Sequence, residues 1–347
     1  MKQSIENIKS EIRFREKLAR QHVDGEAVLD DYIAKADHDV LMRERVDTTY
    51  ADMKRLQDNG VILDPFIELG AERGQRSLVL ANDFKARGFA LDISFAQLKT
   101  MGYWSQFFNK PVLPVRVCCN IYSLPFQGNS LNFAFCYQFL HHFPAPAPVI
   151  KEIHRVLAGG YFYFAEEPYK RYSLKLYRRK TSNKPGKLRK VLTYLESFIA
   201  HQYEVEEVHG IIENDEISLD QWLAALEIFA EKKVYLQSAA SLLTSELGRV
   251  SALRIRLHRM LGGGIGALVK KTGAVNNTGE TTDLYDLLGC PVCVIAPSGA
   301  GRDRASLVRH TDFFKCESCK TEYPIIEDVI LLLPRPELKE LYPQYVR

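Results

Sequence analysis

Between residues 61 and 168 short apolar runs alternate with helix-like stretches, and this alternation constrains the fold of the 347-residue chain more than any other feature. VILDPFIELG reads as a strand and turn, RSLVLANDFKARG as a helix closed by Gly88, FALDIS as a strand and SFAQLKTMGYWSQFF as a helix. PVRVCCNI and LNFAFCYQ read as strands, PVIKEIHRVLAGG as a helix ending in glycines, and YFYFAEEP as a strand. Strands separated by helices pair in parallel and are covered on both faces. The expected class is α/β, a doubly wound and mostly parallel sheet.

The flanks differ in character. Residues 1–60 are rich in Glu, Lys, Arg and Ala, contain no proline, and read as helical. After residue 168 come a basic stretch at 170–190 and an amphipathic helix, SLDQWLAALEIFAEK, with Ser218 and Asp220 as candidate N-caps. Residues 249–271 then mix basic and apolar residues around a glycine cluster, and TGAVNNTGETTD reads as a linker. The expected organisation is a helical region at 1–60, a main domain at 61–271 with a basic insertion at 170–190, a linker at 272–283, and a small domain at 284–347. At 46% hydrophobic and 26% charged residues the composition is globular, which excludes disordered, collagen-like and coiled-coil chains. No apolar run approaches the ~18 residues of a membrane span, and the start lacks the apolar core of a signal peptide. The expected location is cytoplasmic, with contact at a membrane surface as an extension.

Net charge is +3, but residues 170–190 alone carry ten Lys/Arg and no acid, so the rest of the chain sums to −7. Such a patch is a solvated face, a phosphate-binding surface for RNA, or an attractor for anionic lipid. Residues 249–271, basic and apolar together, suit lipid better than RNA.

In FIELGAERGQRS, Glu68 ends a strand, Gly70 and Gly74 lie in the turn, and a helix follows. Glycines admit positive φ and close approach of a ligand, and a helix N-terminus offers unpaired N–H groups to an anion. The same pattern also occurs in ordinary strand–helix turns. Asp92 ends the next strand, 24 residues after Glu68, where a carboxylate can accept from ribose hydroxyls. These two features alone suit a dinucleotide equally well.

Over residues 61–168 the ordered set IELGAERG, LDIS, CNIYSLPFQGNSLNFAFCYQFLHHF and EIHRVLAGGYFYFAEEP resembles the class I S-adenosylmethionine-dependent methyltransferases. The resemblance implies a Rossmann-like methyltransferase fold and a set of cofactor-binding roles. Gly70 and Gly74 would let the loop wrap the methionine part, with Glu68 beneath it holding the amino group. Asp92 would take the ribose hydroxyls, and Ile93 would pack on adenine. Asn120 and Ile121 would flank the adenine, while Tyr137 and Gln138 would line the cofactor at the fourth strand. Two positions depart from the family pattern. Asn120 replaces an Asp, and Glu72 stands where the middle glycine is usual, tolerable if φ is negative and the side chain points away.

Seven cysteines are an odd set, so a disulfide framework is not expected. Cys290-Pro-Val-Cys293 and Cys316-Glu-Ser-Cys319 form two knuckles suited to a four-thiolate structural zinc site. Cys118, Cys119 and Cys136 lie in apolar strands and read as core. LYDLLGCPVC with FFKCESCKTEYPIIEDVILLLP resembles the small zinc-ribbon activator subunit of tRNA and protein methyltransferases. That likeness implies a stabilising or substrate-guiding module fused in cis.

The methyl acceptor is expected over the carboxyl ends of strands four and five. The candidates there are His141, His142, Glu166, Glu167 and Tyr169, of which one of the adjacent glutamates can point inward. HGIIENDE adds His209, Glu213 and Asn214. His142, Glu166 and His209 are the candidate bases, needed when the acceptor loses a proton during attack. The acceptor favoured is a small molecule, phosphorylated or lipid-linked, such as a glycan precursor. The alternatives are tRNA or rRNA, and a non-catalytic scaffold for which Glu72 is the best argument.

Overall fold

Six strands joined in parallel carry the fold, and their burial accounts for the apolar runs. A computed structural model describes residues 4–23, 35–170, 177–180, 200–203, 212, 214, 216–238, 244–276, 283–294 and 306–346. Two helices, α1 (Ile5–Val23) and α2 (Lys35–Asp58), precede the sheet. The alternating region follows as β1 (Phe66–Leu69), α3 (Gln75–Asp83), β2 (Gly88–Asp92), α4 (Phe95–Lys99), α5 (Met101–Phe107) and β3 (Val115–Cys119). It ends with β4 (Leu131–Tyr137), α6 (Ala147–Val156) and β5 (Leu157–Tyr169). Every residue of β1, β2 and β4 is buried. Cys118, Cys119 and Cys136 have no solvent exposure and are part of this core.

The remaining elements are β6 (Tyr177–Lys180), β7 (Ala200–Tyr203), α7 (Leu219–Ala225), β8 (Glu231–Ser238), β9 (Thr244–Glu246), α8 (Ala252–Leu261) and β10 (Gly263–Lys270). The chain continues through β11 (Leu307–Arg309), β12 (Phe313–Cys316), β13 (Glu322–Ile326), β14 (Val329–Leu332) and α9 (Arg335–Leu341). Strand order in the large sheet is β11-β12-β13-β14-β3-β2-β1-β4-β5-β10-β8-β9. Pairing is parallel from β14 to β5 and antiparallel outside that block. The sheet is therefore mixed, which corrects the expectation of a mostly parallel one. Successive hairpins from β12 to β14 supply the antiparallel strands on one flank, while on the other β10 pairs with β5 across the long chain between them.

Several boundaries move for steric reasons. Gly88 opens β2 instead of closing a helix, because a Cβ there would lie 2.4 Å from the Phe66 carbonyl oxygen. Gly159 and Gly160 belong to β5, not to a helix end. A Cβ on either would come within 2.0 Å of a backbone oxygen, of Gly273 or of Asn132. The helix expected over 218–232 stops after α7, and its last residues begin β8. Ser218 is its N-cap in a capping box with Gln221, while Asp220 lies inside the helix. In the expected linker, residues 272–276 are anchored: Asn276 exchanges hydrogen bonds with Asn132 and donates to the Ser130 carbonyl. Most of the basic stretch 170–190 lies outside the described residues.

The C-terminal segment packs into the main body. Strand β14 pairs in parallel with β3, and Leu331 and Leu332 are fully buried there. Gly289 donates to the Pro125 carbonyl and Gln127 to that of Leu287. Among the described residues no helix is long and apolar enough to cross a membrane.

Tyr342, directly after α9, is 2% exposed. Its hydroxyl donates to the Ile93 carbonyl at 2.6 Å and accepts from the Phe95 N–H at 3.0 Å, so the tail pins the loop after β2. Tyr342→Phe leaves both groups buried without that partner, and a loss of ~1–3 kcal/mol is expected in urea denaturation.

Candidate active site

At the carboxyl ends of β1 to β4 the sheet opens into a cavity of about 280 Å³. Glu68, Gly70, Asp92, Ile93, Asn120, Ile121, Tyr137 and Gln138 all line it. Gly74 does not: its φ of 72° makes the turn before α3, and a Cβ there would strike Met101 at 2.0 Å. Gly70, with φ 66°, lets the Phe139 ring pass where a Cβ would sit 2.2 Å from it.

Two buried carboxylates form the floor. Glu68 accepts from the Ser77 N–H at 2.8 Å and from its hydroxyl. Burial pushes the Glu68 pKa up to about 8. Asp92 accepts from the N–H groups of Glu72 at 2.9 Å and Ser94 at 2.7 Å, and burial raises its pKa to about 6. Asn120 accepts from the Tyr122 N–H at 3.0 Å and donates to Glu337 of α9 at 2.9 Å. Tyr137 donates to Asp52 of α2 at 3.0 Å, with the Arg76 guanidinium 3.8 Å above its ring.

Glu72 overturns the condition set for it by sequence. Its φ is 48° and its side chain lines the cavity. It is ion-paired with Arg15 of α1 and, at 3.3 Å, with Arg45 of α2. Burial alone would raise the Glu72 carboxyl, but Arg15, Arg45 and Arg73 outweigh it and hold it far below the carboxylate range. These charge pairs hold a backbone conformation that a glycine would adopt without strain.

Around β4 and β5 the candidates separate. Glu167 is fully buried and accepts from the N–H groups of Phe139, Leu140 and His141 at 2.7, 2.9 and 3.1 Å, and from His141 Nδ1 at 2.9 Å. The loop it holds carries His141 and His142 into the cavity wall. Glu166 is exposed, sits at φ 64° and does not line the cavity, which corrects its placing as a candidate base. Tyr169 turns away to bond His258 at 2.7 Å. Asn214 donates to the carbonyls of Phe143 and Pro144 and so braces the same loop. His209 and Glu213 lie outside the described residues.

Sequence reasoning missed the roof. Ile8, Glu11, Phe14 and Arg15 of α1 and Arg45 of α2 line the cavity from above. Arg15 is also bound to Glu11 at 2.7 Å, and its backbone carbonyl accepts from Gln97 at 2.7 Å. Glu11 Oε2 and Gln75 Oε1 are buried wall atoms without a hydrogen-bond partner. The composition of residues 1–60 signalled a helix but gave no hint of what it would cover.

The four sulfur atoms of Cys290, Cys293, Cys316 and Cys319 lie within 4.8 Å of one another. Cys290 and Cys319 are 3.6 Å apart, and Cys293 and Cys316 are 3.7 Å apart. Thiolates placed ~2.3 Å from a central zinc in a tetrahedron are ~3.8 Å apart, so the donor set and spacing fit that ion.

His142 donates through Nδ1 to the Ile212 carbonyl at 2.7 Å, which leaves Nε2 as its acceptor. Burial, then the charges of His141 and Arg15, lower its pKa to about 4. The unfolded chain binds a proton at this residue below ~6.5, the folded chain only near 4, so His142 makes stability fall as pH falls through that window. Glu68 and Asp92, with raised values, act in the opposite sense. His142→Asn should flatten its share of the slope, on the order of 2 kcal/mol, in urea titrations at pH 4.5 and 7.

Residues 67–164 match the model of a methyltransferase domain family. No curated protein matches the chain significantly. Among solved structures, an S-adenosylmethionine-dependent methyltransferase of Thermotoga maritima is 13% identical over 78% of this chain and 100% of that one, with a TM-score of 0.40. Geranyl diphosphate C-methyltransferase of Streptomyces coelicolor is 13% identical over 70% and 86%, with a TM-score of 0.43. An S-adenosylmethionine-dependent methyltransferase of Methanosarcina mazei is 17% identical over 63% and 98%, with a TM-score of 0.38. Residues 67–164, which run from β1 into β5 with the cavity at the carboxyl ends of these strands, thus form a methyltransferase domain, and the chain is an S-adenosylmethionine-dependent methyltransferase.

Proposed function

We propose that the enzyme methylates a small-molecule acceptor carrying phosphate, with a phosphorylated or lipid-linked glycan precursor as the favoured class. The observation that carries this reading is the roofed cavity. Phe14 and Arg15 of α1 close it from above, which suits a small acceptor better than the surface of a folded RNA.

When bound, S-adenosylmethionine supplies an electrophilic methyl carbon. In this reading Asp92 accepts the ribose hydroxyls, while Ile93 and Ile121 enclose the adenine beside Asn120. Glu68, Gly70, Tyr137 and Gln138 line the methionine part. Glu11 Oε2 and Gln75 Oε1 are acceptors open to the ammonium group. His142 Nε2 takes the proton when the acceptor is a hydroxyl, and its low pKa keeps it unprotonated at neutral pH. Glu167 positions His141 and the loop without touching the reacting atoms.

The C-terminal knuckles hold structural zinc in a ribbon-like module. All four ligand positions are thiolates, which leaves no open coordination site for catalysis. The ion would stabilise the strands that extend the sheet beyond β3.

Calorimetry with S-adenosylhomocysteine tests the core of the reading. Binding is expected for the wild type, weaker by at least ~100-fold in Asp92→Ala, on the scale of two charge-assisted hydrogen bonds. Affinity should rise from pH 5 to 7 as Asp92, with its pKa near 6, ionises. Absence of binding by folded wild type would overturn it. Elemental analysis should give one zinc per chain, and Cys316→Ser should lower both zinc content and the unfolding temperature.

A further inference from the structure

Helix α8 turns an apolar stripe away from the protein. Leu253, Leu257 and Met260 follow at intervals of four and three residues, so they share one face. They are 69%, 42% and 46% exposed. Among the described residues no other helix presents three large apolar side chains to solvent on one face. The opposite face is fixed: His258 is buried, and its Nδ1 is 2.7 Å from the Tyr169 hydroxyl. The stripe therefore cannot roll inward without breaking that contact.

Charge selects the occupant. Arg254 and Arg256 flank the stripe and are exposed, and residues 249–262 contain no acid. Arg249, just before the helix, is paired with Glu246 at 3.2 Å and adds no free charge to this face. Arg259 is paired with Asp220 at 2.6 Å on the side facing α7. A two-fold contact with a second copy would bring the flanking arginines together. A nucleic acid would use the arginines but leave the apolar stripe in water. A surface with negative headgroups above an acyl layer matches both features.

We propose that α8 docks the enzyme on an anionic lipid surface, with Leu253, Leu257 and Met260 entering the headgroup region and Arg254 and Arg256 pairing with phosphate. The contact lies at the end of β5, because Tyr169 is the last residue of that strand. An acceptor held in the membrane would reach the enzyme on the flank where β5 ends. The docking does not depend on which acceptor is methylated.

The test is co-sedimentation of the full-length, zinc-loaded protein with vesicles of phosphatidylcholine alone and with a quarter phosphatidylglycerol. Binding is expected to the anionic vesicles, falling with salt. Leu253→Ser/Leu257→Ser/Met260→Ser should weaken it at least tenfold, and Arg254→Ser/Arg256→Ser about 30-fold, from ~1 kcal/mol for each basic residue. S-adenosylhomocysteine binding should be unchanged in both variants, which separates this proposal from the methyltransferase reading and controls for folding. The proposal is overturned if the wild type ignores anionic vesicles, or if the apolar variant binds them as well as the wild type. It is also overturned if the stripe instead drives a dimer that the apolar variant dissolves, or if it binds RNA through the arginines alone.

Discussion

Glu167 is shut off from solvent, yet its two oxygens accept three consecutive backbone N–H groups and one imidazole nitrogen. Buried carboxylates are costly unless satisfied in this way. The arrangement joins β5 to the loop after β4 and sets the positions of Phe139, His141 and His142. Phe139 in turn occupies the space left by Gly70, so the loop after β1 depends on the same carboxylate. The cavity wall between the first and fourth strands is thus built from one group on the fifth.

The opposite wall depends on long-range charge. Arg15 and Arg45 come from helices that precede the sheet, and both meet Glu72 in the loop after β1. Two of the non-glycine residues at positive φ, Glu72 and Gln138, line the cavity. They follow β1 and β4, where the chain leaves regular pairing. Strain gathered at strand ends beside a cavity is a common mark of working sites.

The sheet core was legible in sequence because its signals are local. Burial on both faces gives β1, β2 and β4 continuous apolar runs, and the acids Glu68 and Asp92 mark two strand ends. What sequence misplaced was decided at a distance. Gly159 and Gly160 read as a helix end until the oxygens of Gly273 and Asn132 are seen beside them. Glu166 and Glu167 are neighbours in type, and only the alternation within β5 separates the inward from the outward one. Glu72 looked like a defect in the glycine loop because its partners lie 57 and 27 residues upstream. VILLL read as part of a small separate unit, whereas β14 pairs with β3 across more than two hundred residues.

That last pairing bears on how the protein is made. Strand β3 stays an open parallel edge until residues 329–332 leave the ribosome, and the Tyr342 contact to the Asp92 loop comes later still. More than two hundred residues of chain therefore separate β3 from the strand that covers it, and the Asp92 side of the cavity closes only once they are made. Contacts this far apart in sequence form slowly, and the waiting edge is apolar. Docking of residues 329–342 thus becomes the step that covers that edge.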